Sequence, residues 1–90
     1  MPRFDAAAPF LNFENQDVAH WGETISLGGG VFTARDTVEF RDVAHSVRVV
    51  PEVVSSTLLR VAVPANMGPG CIRIWRGDLR SNIVPVNFYP

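Results

Sequence analysis

The sequence contains no lysine and only one cysteine, and each scarcity excludes a class of site. A single thiol, Cys71, cannot form a disulfide within the chain or a thiolate cluster for zinc. Without lysine, no Gly-Lys-Ser or Gly-Lys-Thr sequence is present to complete a nucleotide-binding P-loop. No apolar run approaches the roughly 18 residues of a membrane-spanning helix, so we expect no membrane partner.

An excess of one charge sign is also lacking. Nine acidic residues nearly balance eight arginines, and the formal net charge is −1. Both signs are spread evenly along the chain, whereas a protein that neutralises many phosphates carries a basic stripe or face. The sequence therefore predicts no basic face and no nucleic-acid partner.

The length of the chain limits it to one domain. With 90 residues, 47% of them apolar, there is room for a single hydrophobic core. Residues 1–8 show no alternation, and Pro2 and Pro9 flank an alanine run too short to nucleate a helix. We predict a flexible N-terminal arm over residues 1–8 and one domain over residues 9–90.

Beyond the arm, apolar and polar residues alternate in short segments separated by Gly, Pro and Asn, which indicates strands and turns. Leu59, Val61 and Val63 share one face of the clearest segment, and Ile72 and Ile74 share one face of the next. No stretch keeps a helical period over two turns. About seven short strands with this spacing are typical of an all-β sandwich.

Three consecutive glycines, Gly28, Gly29 and Gly30, follow the segment 24–27. A phosphate-binding loop would need a helix directly after them, and residues 31–40 show no convincing helical pattern. We interpret the glycines as a bulge or turn after a strand that ends at Leu27, with backbone angles that a Cβ would oppose. On this interpretation, Gly29→Val damages folding rather than a ligand affinity.

The order of these segments resembles the IPT/TIG family of immunoglobulin-like domains over about residues 9–89. That family shows a glycine before a strand, an apolar-Gly-x-x-Phe element, a Val-x-Phe strand, a strand ending in Val-x-Val-Pro, a Gly-x-Val-x-Val strand and a Ser-Asn pair. In this chain the elements fall at Gly22, 27–32, Val38 with Phe40, 55–64, 70–74, and Ser81-Asn82. Val31 stands where the family more often has Asn or Thr, and the region around Pro51 is irregular, so the chain resembles a divergent member.

The resemblance implies an immunoglobulin-like β-sandwich of IPT/TIG type and a binding or structural role without catalysis. Such domains are spacers and interaction modules in receptors, bacterial surface proteins and carbohydrate-active enzymes, and dimerisation modules in Rel-type transcription factors. The fold alone does not choose among these roles.

Residues that catalysis or metal binding needs are not placed together by the sequence. His45 and Ser46 are neighbours, and neighbours on a strand point to opposite faces, so they cannot form a hydrogen-bonded dyad there. The carboxylates Asp36, Glu39 and Asp42 lack the spacing of a calcium site. We predict no enzyme activity, no cofactor and no metal.

Residues 76–78 spell Arg-Gly-Asp, the tripeptide that integrins recognise, and we interpret them as a tight turn between the last two strands.

A candidate interaction surface is predicted around Trp75. With the isoleucines of its strand facing the core, Trp75 and Arg73 project from the opposite face, and Arg60 is expected on the matching face of the preceding strand. Phe4 in the arm is a fourth candidate, because it can clasp a neighbouring molecule. Trp and Arg are enriched at interaction hot spots, and a planar Trp also stacks on sugar rings. The alternative, that a loop or the arm covers Trp75, stays open.

Two functions follow from these observations. The first is a small virion protein, a capsid-decorating or assembly component made in the host cytoplasm. It is favoured by a chain that starts at Met1, by the lack of an export signal, and by an arm whose Phe4 can clasp a neighbour. The all-arginine usage indicates a bacterial or phage source. The second is a carbohydrate-binding or spacer module of a larger bacterial surface protein or enzyme. The partner is accordingly a capsid or surface protein, a second copy of the chain, or a carbohydrate.

Overall fold

The computed structural model describes residues 8–12 and 17–90, and the secondary-structure elements of these residues are all strands. Apart from Ala8, the predicted arm lies outside the described residues. No helix of the described residues is long and apolar enough to cross a membrane. The strands are β1 (Phe10–Leu11), β2 (Val18–His20), β3 (Thr24–Gly30), β4 (Thr37–Asp42), β5 (Ser46–Val49), β6 (Glu52–Ser55), β7 (Leu58–Ala62), β8 (Gly70–Arg76), β9 (Leu79–Arg80) and β10 (Val84–Tyr89).

The strands form two sheets that pack face to face as a sandwich. One sheet has four strands in the order β1, β3, β7, β6. The other has six, in the order β2, β10, β8, β4, β5, with β9 paired to β8. β2 and β10 run parallel, whereas the other described pairs are antiparallel. Because β1 and β2 belong to different sheets, the N-terminal part of the domain contributes an edge strand to each.

Side chains of one parity in the longer strands fill the space between the sheets. Sixteen apolar residues of the described chain are buried in a single cluster. The rings of Phe40 and Phe88 meet edge to face within it, with their centroids 5.8 Å apart. Trp21 packs against the cluster, and its indole N–H donates to the carbonyl oxygen of Met67 at 2.7 Å. Burying one side chain of Leu or Phe size stabilises a fold by about 1.5–3 kcal/mol, so this cluster is the main stabilising element.

The prediction of an all-β sandwich is confirmed, and so is the inward parity of residues 59, 61, 63, 72 and 74. The described residues contain ten strands rather than about seven, and three short strands account for the difference. β2 has no alternating apolar pattern, and its backbone pairing with β10 makes it a strand. β9 has only two residues. Pro51 separates β5 from β6, and these two strands pair in different sheets.

The glycine triplet is part of a strand, so its interpretation as a bulge or turn is wrong. β3 continues to Gly30, and Gly29 and Gly30 pair with Leu11 and Phe10 of β1. Neither of these two glycines has a positive φ, so backbone angles do not explain the requirement for glycine. A close approach between strands explains it, because a Cβ on Gly29 would overlap with the carbonyl oxygen of Phe10 and lie 3.1 Å from Leu11 Cα.

A methyl group at position 29 is therefore expected to displace β1. We expect Gly29→Ala to lower the free energy of unfolding by about 2 kcal/mol, the usual range for overpacking, and Gly29→Val to lower it further. Gly30→Ala is the matched control, because the nearest atoms to its Cβ belong to the exposed Phe10 ring at 3.4 Å and can move aside. Urea denaturation followed by tryptophan fluorescence measures both. Equal losses at the two positions would contradict this explanation.

Candidate interaction surface

The outer face of the six-stranded sheet brings together side chains from four strands. Arg48 of β5, Glu39 of β4 and Arg73 of β8 lie side by side in register. Trp75 lies two residues further along β8, where it pairs with Arg80 of β9. Side chains two residues apart on one strand share a face, so these groups form one cluster. We call it the arginine face, defined by Arg41, Arg48, Arg73, Arg80, Glu39 and Trp75.

Two of the four predicted surface residues, Trp75 and Arg73, lie on the arginine face. Arg60 does not, because it lies in β7 and pairs with Ser26 of β3 in the four-stranded sheet. The prediction that Arg60 shares a face with Trp75 is therefore wrong. β7 precedes β8 in the sequence, but the chain crosses from one sheet to the other between them, and local alternation cannot show such a crossing. Phe4 lies outside the described residues.

Trp75 is half-buried and its indole has a fixed orientation. The indole N–H donates to Oε1 of Glu39 at 2.6 Å. The Arg48 guanidinium lies over the ring, 4.5 Å from its centroid, and those of Arg73 and Arg80 lie 5.8 and 6.0 Å from it. Cation–π contacts of this kind contribute about 0.5–1 kcal/mol at exposed sites. Arginine side chains of β5, β8 and β9, rather than a loop of the described residues, thus lie against the ring.

Glu39 is the buried anion of the arginine face, with 7% of its surface exposed. Oε1 accepts the Trp75 indole N–H, and Oε2 accepts the Ser46 hydroxyl at 2.6 Å. Burial raises the pKa of Glu39, but the hydrogen bonds from Ser46 and Trp75, together with the charges of Arg41 and Arg48, lower it by more. The carboxylate is therefore ionised at neutral pH. Neutral donors, rather than a guanidinium, occupy its two oxygens.

The four arginines of the face form no salt bridge with a carboxylate of residues 8–12 or 17–90. Within the part of the chain that the structure describes, the salt bridges join Asp42 to His45 and Asp36 to Arg76. Arg73 Nε is buried and has no hydrogen-bond partner among these residues. Four arginines and one glutamate give the face a net charge of 4 − 1 = +3, although the chain as a whole carries −1.

The expectation that no basic face exists is therefore wrong for the folded chain. Half of the eight arginines gather on one side of one sheet. The mixing of acidic and basic residues along the sequence hides this, because the β4–β5 and β8–β9 hairpins become neighbours only through the long-range pairing of β4 with β8. The missed residues, Glu39 and Arg48, had one local signal: alternation around the turn after Asp42 predicts that they lie opposite each other.

The Arg-Gly-Asp sequence forms a tight turn between β8 and β9, as predicted. Arg76 pairs with Leu79, and Gly77 has a φ of +58°, the positive angle found at the first central residue of a type II′ turn. Arg76 Nε and Nη2 donate to the two oxygens of Asp36 at 2.6 and 3.0 Å, and Nη2 also donates to the Val31 carbonyl oxygen. The arginine of the tripeptide is thus engaged inside the fold.

His45 and Ser46 contact different carboxylates. His45 Nδ1 lies 3.2 Å from both oxygens of Asp42, whereas Ser46 donates to Glu39. Asp42 accepts the backbone N–H of Gly68 at 2.8 Å and two N–H groups of its own turn. These hydrogen bonds, that of Gly68 first, hold the pKa of Asp42 well below its usual range. Asp42 thereby ties the turn between β4 and β5 to the loop before β8.

Comparison with known proteins gives no family for this chain. No protein-family model matches it, and no curated protein matches it in sequence. Across residues 8–12 and 17–90, no group of three or more His, Cys, Asp and Glu side chains is placed to hold a metal ion. The arginine face is thus the feature whose chemistry bears most directly on function.

Acidification is expected to destabilise the fold through Asp42 and Glu39. The pKa of each is lower in the folded protein than in the unfolded chain, so the unfolded chain binds more protons as the pH falls below about 4.5. The two ionised carboxylates therefore contribute their full stabilisation of the fold above that pH, and this contribution is lost as the pH falls below it. We expect Asp42→Asn to flatten the fall in unfolding free energy between about pH 6 and pH 3. Urea denaturation at each pH measures this, with the exposed Glu52→Gln as control. An unchanged slope in Asp42→Asn would contradict the assignment.

Proposed function

We propose that the chain is a non-catalytic interaction module that binds a protein partner through the arginine face. One observation carries this proposal: Trp75 is held in place by Glu39 and Arg48, among arginines that form no salt bridge with any carboxylate in the described part of the chain. Trp and Arg are the residues most enriched at interaction hot spots. Side chains that are already ordered lose less conformational entropy on binding, which favours affinity.

We also infer that the sandwich is immunoglobulin-like and of the IPT/TIG type. Immunoglobulin sandwiches place strands A, B, E and D in one sheet and G, F and C, with C′ in the variable type, in the other. With the short strands β2 and β9 left out, the remaining strands can be lettered A, B, C, C′, D, E, F and G in chain order. The sheet orders β1-β3-β7-β6 and β10-β8-β4-β5 are then A-B-E-D and G-F-C-C′, which supports this assignment. The positions of the family elements support it too, since Val38 with Phe40 falls in β4 and residues 70–74 fall in β8.

The biological setting that we propose is virion assembly, with the chain as a capsid-decorating or assembly protein. The arginine-only basic composition, typical of GC-rich coding sequences, is consistent with a bacterial or phage source. A small sandwich with one strongly charged face supports attachment to a larger protein surface. The alternative setting is a spacer or carbohydrate-binding module of a bacterial surface protein or enzyme.

The sugar-binding alternative has less support from the geometry of Trp75. A tryptophan that stacks on a sugar ring presents an open ring face, and Arg48 lies 4.5 Å above the ring centroid here. A glycan array probed with the protein and with Trp75→Phe tests this alternative. Binding by the protein that Trp75→Phe loses would favour the carbohydrate role over the protein-binding role.

The proposed function is tested by photo-crosslinking in purified virions. A benzophenone amino acid replaces Arg80 on the arginine face or, as a matched control, Arg60 on the outer face of the other sheet. We expect the chain to sediment with virions, with capsid crosslinks from position 80 and few from position 60. A chain absent from virions contradicts the setting. Crosslinks from position 60 alone contradict the proposed use of the arginine face.

A further inference from the structure

The arginine face offers several guanidinium groups that form no salt bridge with the carboxylates that the structure describes. The two oxygens of Glu39 are occupied by Trp75 and Ser46, so the anion on the face does not take up the donors of Arg48 or Arg73. In addition, Arg41 and Arg73 line one shallow depression, together with Glu39, Cys71 and Ile83. An anionic group that enters the depression meets two guanidinium groups.

We propose that the partner presents an acidic polypeptide surface, rich in Asp and Glu, to the arginine face. This inference rests on the proposed function, that the face binds a protein, and adds the chemistry of that partner. A net charge of +3 on the face requires a complementary negative surface, because like charges brought together at an interface disfavour binding. Guanidinium groups bind carboxylates through two parallel hydrogen bonds, which adds geometric specificity to the charge attraction.

Nucleic acids fit the same charge less well. Proteins that bind single strands stack the bases on open aromatic rings, and Arg48 already occupies one face of the Trp75 ring. Duplex DNA carries phosphates well beyond a patch of four arginines. An acidic protein surface places its carboxylates only where the arginines lie.

A second copy of the chain fits less well too. A symmetric dimer through this face would bring one set of four arginines against the other, and a C2 interface always pairs a patch with itself. The repulsion between two faces of charge +3 therefore favours a different molecule as partner. The outer residues of the opposite sheet do not supply the complement either, since Glu52 pairs with Arg60 there.

The test measures binding of a fluorescently labelled glutamate 20-mer by anisotropy at low ionic strength. We expect saturable binding that weakens as salt rises, because salt screens exposed charges. The triple variant Arg48→Gln/Arg73→Gln/Arg80→Gln is expected to lose at least about tenfold in affinity, from roughly a two- to threefold loss per arginine. Arg60→Gln removes the same charge from the opposite sheet and is expected to change affinity by less than about twofold.

The thermal unfolding of each variant is recorded alongside. If the triple variant does not fold, the single variant Arg80→Gln replaces it in the test, because Arg80 is exposed in a two-residue strand. The expected loss of peptide affinity in Arg80→Gln is about two- to threefold. Failure of the glutamate peptide to bind overturns the inference, as does an equal loss in Arg60→Gln. The inference is also overturned, in favour of nucleic acid, if the protein binds a 20-base-pair DNA more tightly than the glutamate peptide and the triple variant loses that binding. If the peptide fails while virion crosslinks from position 80 persist, the proposed function stands without this partner chemistry.

Discussion

Gly70→Ala is expected to lower the free energy of unfolding by about 3 kcal/mol or more, a large part of the total for a domain of this size. Gly70 begins β8, the strand between β4 and β10, and pairs with Asp42 on one side and Val86 on the other. A Cβ at this position would overlap with the carbonyl oxygen of Arg41 and lie 2.9 Å from Asp42 Cα. Because β8 is held on both sides, neither backbone can move away without breaking sheet hydrogen bonds.

Gly68→Ala is the matched control for this prediction. The nearest atom to a Cβ on Gly68 is Oδ2 of Asp42 at 3.7 Å, an ordinary contact distance. We expect Gly68→Ala to change stability by less than about 1 kcal/mol, because surface substitutions without a clash have small effects. Urea denaturation of both variants at neutral pH gives the comparison. Similar losses at the two positions would mean that strand contact does not cause the effect at Gly70.

Arg76→Ala is the second change with a large expected effect, a loss of about 3–5 kcal/mol. Asp36 has no exposed side-chain surface and receives two hydrogen bonds from the Arg76 guanidinium. Removing the arginine leaves a buried carboxylate whose remaining partners are the N–H and hydroxyl of Thr33. The charge then has no counterion, and its desolvation is no longer compensated. The measurement is the urea denaturation midpoint at pH 7.

Two further variants separate the ion pair from the loss of side-chain volume. Arg35→Ala removes an exposed arginine next to Asp36 and is expected to change stability by less than about 1 kcal/mol. Arg76→Met/Asp36→Leu removes both charges and is expected to recover at least half of the loss, because an apolar pair has no unpaired charge to bury. No recovery in the double variant would show that packing, rather than the carboxylate, causes the loss.

The structural use of Arg76 also bears on the Arg-Gly-Asp tripeptide. An integrin ligand presents the arginine to its receptor, whereas here the guanidinium is held by Asp36 and the Val31 carbonyl oxygen. The sequence predicts the turn because Gly77 permits a positive φ. It could not predict the Asp36 contact, which joins residues 40 positions apart.

Much of the fold could be predicted because the relevant signals are local. Alternation over five to seven residues predicts which side of a strand is buried, and it assigned residues 59, 61, 63, 72 and 74 correctly. The glycine triplet shows the limit of local reasoning. Its composition suggests a turn, but glycine is required because β1, far away in the sequence, passes too close for a side chain.

The candidate site shows the same limit more clearly. Alternation predicts that Trp75 and Arg73 face away from the core, because along β8 they alternate with the buried isoleucines. It cannot predict which strands lie beside β8. Alternation alone therefore groups Arg60 with Trp75, although Arg60 lies on the other sheet. It does not reveal Arg48 and Glu39, which contact Trp75.

The sequence by itself determined that this chain is an all-β sandwich with one core, because the apolar period of two residues and the turn residues are properties of neighbouring positions. Only the tertiary structure decided that four of the eight arginines gather into one face. Sheet order and register arise from pairing between distant segments, and a pair such as Glu39 with Arg73 depends on how two strands align rather than on either strand alone. Charge along a sequence therefore did not predict charge across the surface.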